Sequence, residues 1–345
     1  MGFFDDIMEI FSTKVPTITA TMIGPSRVGK TTLVAAAIAG MDAQVRKINT
    51  TDGRLSCQAV GEAGEILRDL VDKIKGMLDA ETFDAAIIGG TEKEQLFSFE
   101  VRGRSLSLPF HILDFPGAWL TGFGGGGHAE NWDQHIKPTL ESSNALIIPI
   151  DAALIMSAAT GKEKATCRST LMVSAVCDIV QRWACETQID KKMLILAPVK
   201  CETYFTDNVV NIKDRSKELG DAIGRIYGEM LDKARVADPS ISIEYHPIDT
   251  FGSVCLKGVD WNGPNGKLVE HYMAYGARPK GTSSWQPMCG DVLLNRIVLH
   301  ALETEWERKG WLGRFLNGDM EMLIEQIKKG AKRRKGSRWQ DWSKA

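Results

Sequence analysis

Gly24-Pro25-Ser26-Arg27-Val28-Gly29-Lys30-Thr31-Thr32 fits G-x-x-x-x-G-K-[ST], a loop whose backbone N–H groups cradle phosphate oxygens. Its flanks agree. Pro16-Thr17-Ile18-Thr19-Ala20-Thr21-Met22-Ile23 alternates and is rich in β-branched residues, as a strand is. Thr32-Leu33-Val34-Ala35-Ala36-Ala37-Ile38-Ala39 is an alanine-rich apolar run suited to the start of a buried helix. A loop between strand and helix aims N–H groups at an anion, and the helix dipole adds to the attraction. The pattern assigns Gly24, Pro25, Ser26, Arg27, Val28, Gly29, Lys30, Thr31 and Thr32 to nucleotide binding. Lys30 is expected to reach the terminal phosphates and serve catalysis, and the Thr31 hydroxyl to ligate Mg²⁺.

Beyond this loop and its helix, Ala43 to Thr91 is a long connection. Within it Glu65 to Leu78 places apolar residues at 66, 67, 70, 71, 74, 77 and 78, a helical period. The connection therefore holds at least one packed helix. Two strand-like runs follow, Gln95 to Val101 and Leu106 to Leu113, with Arg102-Gly103-Arg104-Ser105 between them as the turn of a hairpin. The second run leads straight into Asp114-Phe115-Pro116-Gly117. A carboxylate ending a strand beside the phosphate-loop strand can hold Mg²⁺ through water, which makes Asp114 a metal candidate.

Phosphate loop, switch-like connection, antiparallel hairpin and Asp-x-x-Gly, in that order, resemble the Ras-like, translation-factor-related class of P-loop GTPases. The chain looks like a divergent bacterial-type member with a helical insertion in the first switch. The resemblance covers about residues 15–312. It implies a three-layer α/β P-loop NTPase fold, a six-stranded, mostly parallel sheet with one antiparallel edge strand, flanked by helices. It also implies that the Gly117 N–H contacts and senses the γ-phosphate, and that a switch threonine ligates Mg²⁺. Thr91, behind Gly89-Gly90 and just ahead of the hairpin, stands at that place. Thr50 and Thr51 compete but lie far from the strand.

The rest of the chain follows the same order. Asn144 to Asp151 reads as a buried parallel strand, Lys162 to Glu186 as one long helix, and Met193 to Val199 as the next strand. The family expects Asn-Lys-x-Asp next, the lysine packing on the purine and the aspartate accepting from guanine. Val199-Lys200-Cys201-Glu202 keeps Lys200 and a carboxylate, Glu202, but loses the asparagine and lengthens the acid. The resemblance therefore implies GTP and GDP, while ATP stays open. After a helix at Ser216 to Ala237 and a strand at Ile241 to Ile248, Asp249-Thr250-Phe251-Gly252-Ser253 occupies the place of the last base-contacting loop. Thr250 and Phe251 are its candidates. Leu256 to Pro287 has no clear period and is glycine-rich, so it could fold over the base or face a partner. Asp291 to Trp311 reads as the closing helix.

In hydrolysing family members a Gln or His follows Asp-x-x-Gly. Here the place belongs to Ala118-Trp119. A glycine-rich loop at about 117–135, Gly122-Phe123-Gly124-Gly125-Gly126-Gly127 at its heart, could swing His128, Glu130 or Gln134 inward. No arginine immediately precedes Thr91, so hydrolysis is expected to be slow unless a protein partner or a second copy supplies the missing charge.

Bulk composition sets the limits. With 43% hydrophobic and 25% charged residues and a formal net charge of −2, the chain has material for a core and does not read as a wholly nucleic-acid-coating protein. Seven cysteines without a C-x-x-C pair read as reduced, mostly buried thiols in a cytoplasmic protein, and no ligand pair is spaced for zinc. No stretch approaches about 18–20 uninterrupted apolar residues. Residues 1–14 present Phe3, Phe4, Ile7, Met8, Ile10 and Phe11 with Asp5, Asp6 and Glu9 between them. This is a short amphipathic helix that docks on its own domain or meets a partner. It lacks the pattern of a secretory signal, and Asp6 breaks a myristoylation motif. Residues 313–345 read as a basic tail. Lys328, Lys329, Lys332, Arg333, Arg334, Lys335, Arg338 and Lys344, with Trp339 and Trp342, suit nucleic acid, an anionic membrane surface or a solvated tail.

The expected activity is that of a nucleotide-dependent molecular switch that binds GTP with Mg²⁺ and slowly hydrolyses it. The alternatives are an ATP-binding NTPase on the same fold and a non-hydrolysing nucleotide-binding scaffold.

Overall fold

Ile18–Met22 forms β1, the strand that leads into the loop from Gly24, and Lys30–Asn49 forms α1 directly after that loop. The structure, a computed structural model, describes residues 18–49, 56–81, 83–84, 88, 93–102, 107–122, 128–187, 189–206, 213–263, 267–274, 285–308, 318–332 and 338–344. Next come β2 (Ser56–Val60), α2 (Glu62–Asp79), β3 (Gln95–Arg102) and β4 (Ser107–Asp114). A 3₁₀ turn at Gly117–Gly122 precedes Ala129–Asn131, Trp132–Ile136 and Lys137–Ser142, which run on as α3 with a π-helical middle. The second half contains β5 (Ala145–Asp151), α4 (Ala152–Ser157), α5 (Gly161–Thr170), α6 (Val173–Glu186), β6 (Met193–Val199), α7 (Ser216–Ala237) and β7 (Ser242–Tyr245). A separate hairpin of β8 (Val254–Asp260) and β9 (Val269–Ala274), α8 (Gly290–Arg308), α9 (Gly318–Lys332) and β10 (Gln340–Asp341) complete it.

The central sheet is eight-stranded, in the order β10-β7-β6-β5-β1-β4-β3-β2. Strands β4, β1, β5, β6 and β7 are parallel, while β3, β2 and β10 pair antiparallel with their neighbours. The expected six strands are all present, but the sheet gains one on each edge. Strand β2 comes from the long connection and pairs with β3, so the antiparallel hairpin strand is not the edge. Strand β10 comes from the far C-terminal segment. Neither carries a readable signal: Ser56-Cys57-Gln58-Ala59-Val60 is short and mixed, and a pair of polar residues has no period.

The parallel strands are apolar throughout because helices cover both faces. In β6, Met193, Ile195, Ala197 and Val199 face one core and Leu194 and Leu196 the other. Helices α1, α2, α8 and α9 close the first core, and α3 to α7 the second. The single long helix expected from Lys162 to Glu186 is two, because the chain breaks at Leu171 and Met172, the latter left-handed at φ 48°. Thr160 and Glu163 form a capping box that starts the first of them.

Much of the segment read as a basic tail belongs to the domain. Met320, Leu323, Ile324 and Ile327 of α9 are buried at helical spacing against the first core. At the other end of the segment Trp342 stacks on Tyr245 with centroids 4.6 Å apart and planes 2° from parallel. The amphipathic segment 1–14 lies outside the described residues. Among the described residues no helix is long and apolar enough to cross a membrane.

Candidate functional site

Strands β1 and β4 run parallel with Met22 opposite Asp114, so the loops that follow them leave the same end of the sheet. Arg27 at φ 65° and Gly29 at φ 103° turn the Gly24–Thr32 loop through left-handed backbone, which Gly29 adopts freely. Lys30 is buried, and its Nζ donates to the carbonyls of Gly24 at 3.1 Å and Pro25 at 3.0 Å. Burial lowers its pKa, and the Asp114 carboxylate, 3.9 Å away, opposes that shift. The Thr31 hydroxyl donates to Asp114 Oδ2 at 3.0 Å across 83 residues of sequence. Thr32 Oγ1 donates to the Gly29 carbonyl at 2.8 Å and tightens the loop.

The turn after β4 lies directly on this loop. A Cβ built on Gly117 would stand 2.0 Å from Ser26 N and 2.2 Å from the Pro25 carbonyl carbon. Only glycine permits this backbone-to-backbone approach. Lys30, Thr31, Asp114 and Gly117 thus meet at one end of the sheet.

The other catalytic candidates fall elsewhere. His128 is partly buried, with its Nδ1 3.4 Å from Asn131 Nδ2, and its carbonyl group packs on Gly122. Gln134 is exposed and donates to Glu130 at 3.1 Å. Thr91 lies outside the described residues. His135, next to Gln134, pairs with Glu94 at 3.1 Å and lies tilted against Trp119 with ring centroids 5.2 Å apart, joining the helix after the turn to the approach of β3.

At the proposed nucleobase end, Lys200 follows β6 in left-handed backbone at φ 60° and is buried. Its ammonium donates to Asp151 Oδ2 and to both oxygens of Glu270, at 2.9 and 2.7 Å. Burial works against its charge, but the two carboxylates hold its pKa above the ordinary lysine value. Burial, then the Glu270 carboxylate, pushes Asp151 up to about 7. Glu202 is also buried, and its Oε1 accepts the backbone N–H of Phe251 at 2.6 Å and of Gly252 at 3.2 Å. Burial, helped by Asp249, pushes its pKa up to about 8. Thr250 is fully buried, and its carbonyl accepts from Trp285 Nε1 at 3.0 Å. Phe251 is a core residue, edge-on to Phe83 at 4.6 Å and to Tyr272 at 6.0 Å. These four residues do cluster, but they are engaged by the protein's own groups.

No protein-family model matches the chain. No curated protein matches it either. Among solved structures it is similar to the S. cerevisiae Ski7 GTPase-like domain bound to GDP and inorganic phosphate, at 13% identity and a TM-score of 0.38 over 71% of this chain and 46% of that one. The same domain bound to GTP matches at 13% identity and a TM-score of 0.39, over 73% of this chain and 46% of that one. The chain thus spans less than half the length of either. A likeness this distant carries no functional argument, so the site stands on its own geometry.

Sequence reading missed Asp151, Glu270, Tyr272 and Phe83. Asp151 ends a buried apolar run, as Asp114 does, which was a usable signal. Its Oδ1 also caps α4, accepting from the Leu154 N–H at 3.0 Å. In β9, Glu270, Tyr272 and Ala274 alternate with the more exposed His271 and Met273, a period hidden by the glycine-rich surroundings.

Proposed function

We propose that this protein is a nucleotide-dependent switch that binds GTP with Mg²⁺ and hydrolyses it slowly. The observation that carries the reading is the meeting of Lys30, Thr31, Asp114 and Gly117 at one end of the parallel sheet. Lys30 would trade the Gly24 and Pro25 carbonyls for phosphate oxygens, a short move for a long flexible side chain. The Thr31 hydroxyl and Asp114 carboxylate are hard oxygen donors already within hydrogen-bond reach. They fit Mg²⁺, which is held by one or two protein groups together with phosphates and water. Thr91 is the proposed second threonine ligand. Bound there, the ion would neutralise charge on the β- and γ-phosphates. Because Gly117 rests on Pro25 and Ser26, displacement of the phosphate loop would push directly on the turn that opens the second switch. Neither Ala118 nor Trp119 can orient a water as Gln or His does, which supports a low intrinsic rate and a catalytic group supplied by a partner.

A second reading, ATP in place of GTP, is favoured by one observation. Glu202, the residue aligned with the guanine-reading acid, is committed to the backbone of Phe251 and Gly252. Calorimetric titration of Mg²⁺-loaded GTP, GDP, ATP and ADP separates the two. The expected result is binding of GTP and GDP, lost in Lys30→Ala. Equal or tighter ATP binding transfers the assignment to the second reading, and unchanged affinity in Lys30→Ala rejects both.

A further inference from the structure

We propose that Glu270, carried by the β8–β9 hairpin, is a positioning residue for the nucleobase, sharing the Lys200 ammonium with Asp151. The inference rests on the nucleotide reading above and adds an element that lies outside all of its motifs. Lys200 directly follows Val199, whose Cγ2 lies 3.5 Å from a Cβ built on Gly29, so the lysine stands beside the phosphate loop. Its ammonium takes Asp151 from the end of β5 and Glu270 from β9. Tyr272 OH donates to Glu270 Oε2 at 2.7 Å and fixes the carboxylate in turn.

Two features argue that this is more than a contact that holds the hairpin down. First, one ionised carboxylate is enough to neutralise one ammonium, yet two are buried against Lys200. The surplus carboxyl group must sit in a desolvated site either charged or protonated away from its ordinary pKa, and both cost stability. Second, the hairpin has other anchors. Val259, Trp261 and Leu268 pack against one core and Tyr272 and Ala274 against the other. Tyr272 also meets Phe83 of the long connection at 5.6 Å. The charged clamp is therefore not needed to dock the hairpin, whereas together with Asp151 it fixes the tip of the lysine stem. A stem held at its tip presents a fixed wall to the flat face of a purine.

The test compares Mg²⁺-GTP with Mg²⁺-tripolyphosphate, which reaches the phosphate loop but carries no base. Glu270→Gln should weaken GTP binding about tenfold and leave tripolyphosphate affinity within about twofold. Tyr272→Phe keeps the aromatic packing and should act in the same direction with smaller size. Adding Lys200→Met to Glu270→Gln should cost little more than either alone, since both act through one clamp. Equal losses for both ligands would mark Glu270 as merely structural and overturn the proposal. So would an unchanged ratio, or tighter GTP binding, which would make the hairpin a plug. Wild-type protein that binds neither ligand removes the nucleotide reading itself. Wild-type protein that binds both, with Glu270→Gln leaving their ratio unchanged, removes only the role of Glu270.

Discussion

Replacing Arg338 by methionine should destabilise the whole domain, although this residue sits in a segment whose composition reads as a solvated basic tail. Its guanidinium grips Asp249 with two bonds, Nη1 to Oδ1 at 2.6 Å and Nη2 to Oδ2 at 2.9 Å. The two side chains are 4% and 0% exposed, and the guanidinium also lies 3.9 Å over the Phe205 ring. Methionine keeps part of the stem volume but removes the guanidinium that grips the buried Asp249 carboxylate. Removing one partner of a buried pair costs roughly 3–5 kcal/mol, mostly the penalty of the stranded charge. For a chain of 345 residues each kcal/mol lowers Tm by only about 1.4 °C, so the loss is roughly 4–7 °C. Thermal scanning and urea midpoints measure it. Adding Asp249→Asn should recover part of the loss, because the stranded charge is then gone. A loss below about 1 kcal/mol, or a double variant no better than Arg338→Met, would refute the reasoning and return residues 338–344 to the status of a tail. The pair also bears on the site, since Asp249 opens the turn whose Phe251 and Gly252 N–H groups hold Glu202.

Gly117→Ala would put a methyl group where backbone atoms of Pro25 and Ser26 already stand, at an overpacking cost of about 1–3 kcal/mol. Phosphate release should slow more than nucleotide affinity falls, and an unaltered rate and melting temperature would show that the two loops are not coupled. Glu244 offers a test in pH. Burial disfavours its charge, but hydrogen bonds to His246 and Arg296 outweigh that and hold its pKa down to about 2, from an ordinary 4.5. A depressed carboxylate contributes stability that is present above 4.5 and lost as pH falls toward 2. Burial also lowers the pKa of His246, which acts in the same direction on acidification. The urea midpoint of Glu244→Gln should therefore change less between pH 4.5 and 2 than that of the wild type, and parallel curves would contradict this account.

The elements with strong local signals were legible. Strand, phosphate loop and helix follow each other within residues 18–49, and the hairpin into Asp114 carries its own alternation. Helix α7 lies where it was read, around Ser216 to Ala237, because its apolar face, its length and the polar stretches around it agree. The break at Met172 was not legible, since apolar residues continue across it and nothing there marks a left-handed turn. The sequence order also placed Lys200 and Glu202 correctly at the end of a buried strand, but it could say nothing of what they touch.

By itself the sequence determined that a Gly-x-x-x-x-Gly-Lys-Thr loop joins a strand to a helix and that an aspartate ends another strand, because a loop motif and a strand period are short-range properties. The tertiary structure decided how the carboxylates divide the work. Asp114 faces Thr31, Glu202 anchors its own neighbouring turn, and Glu270 crosses 70 residues of sequence to reach Lys200. It likewise decided that Arg338, 89 residues from Asp249, is a buried ion-pair partner. A carboxylate or guanidinium has no preferred partner until folding removes water from around it. Which opposite charge it then meets depends on the packing of distant segments, and that is written in no local pattern.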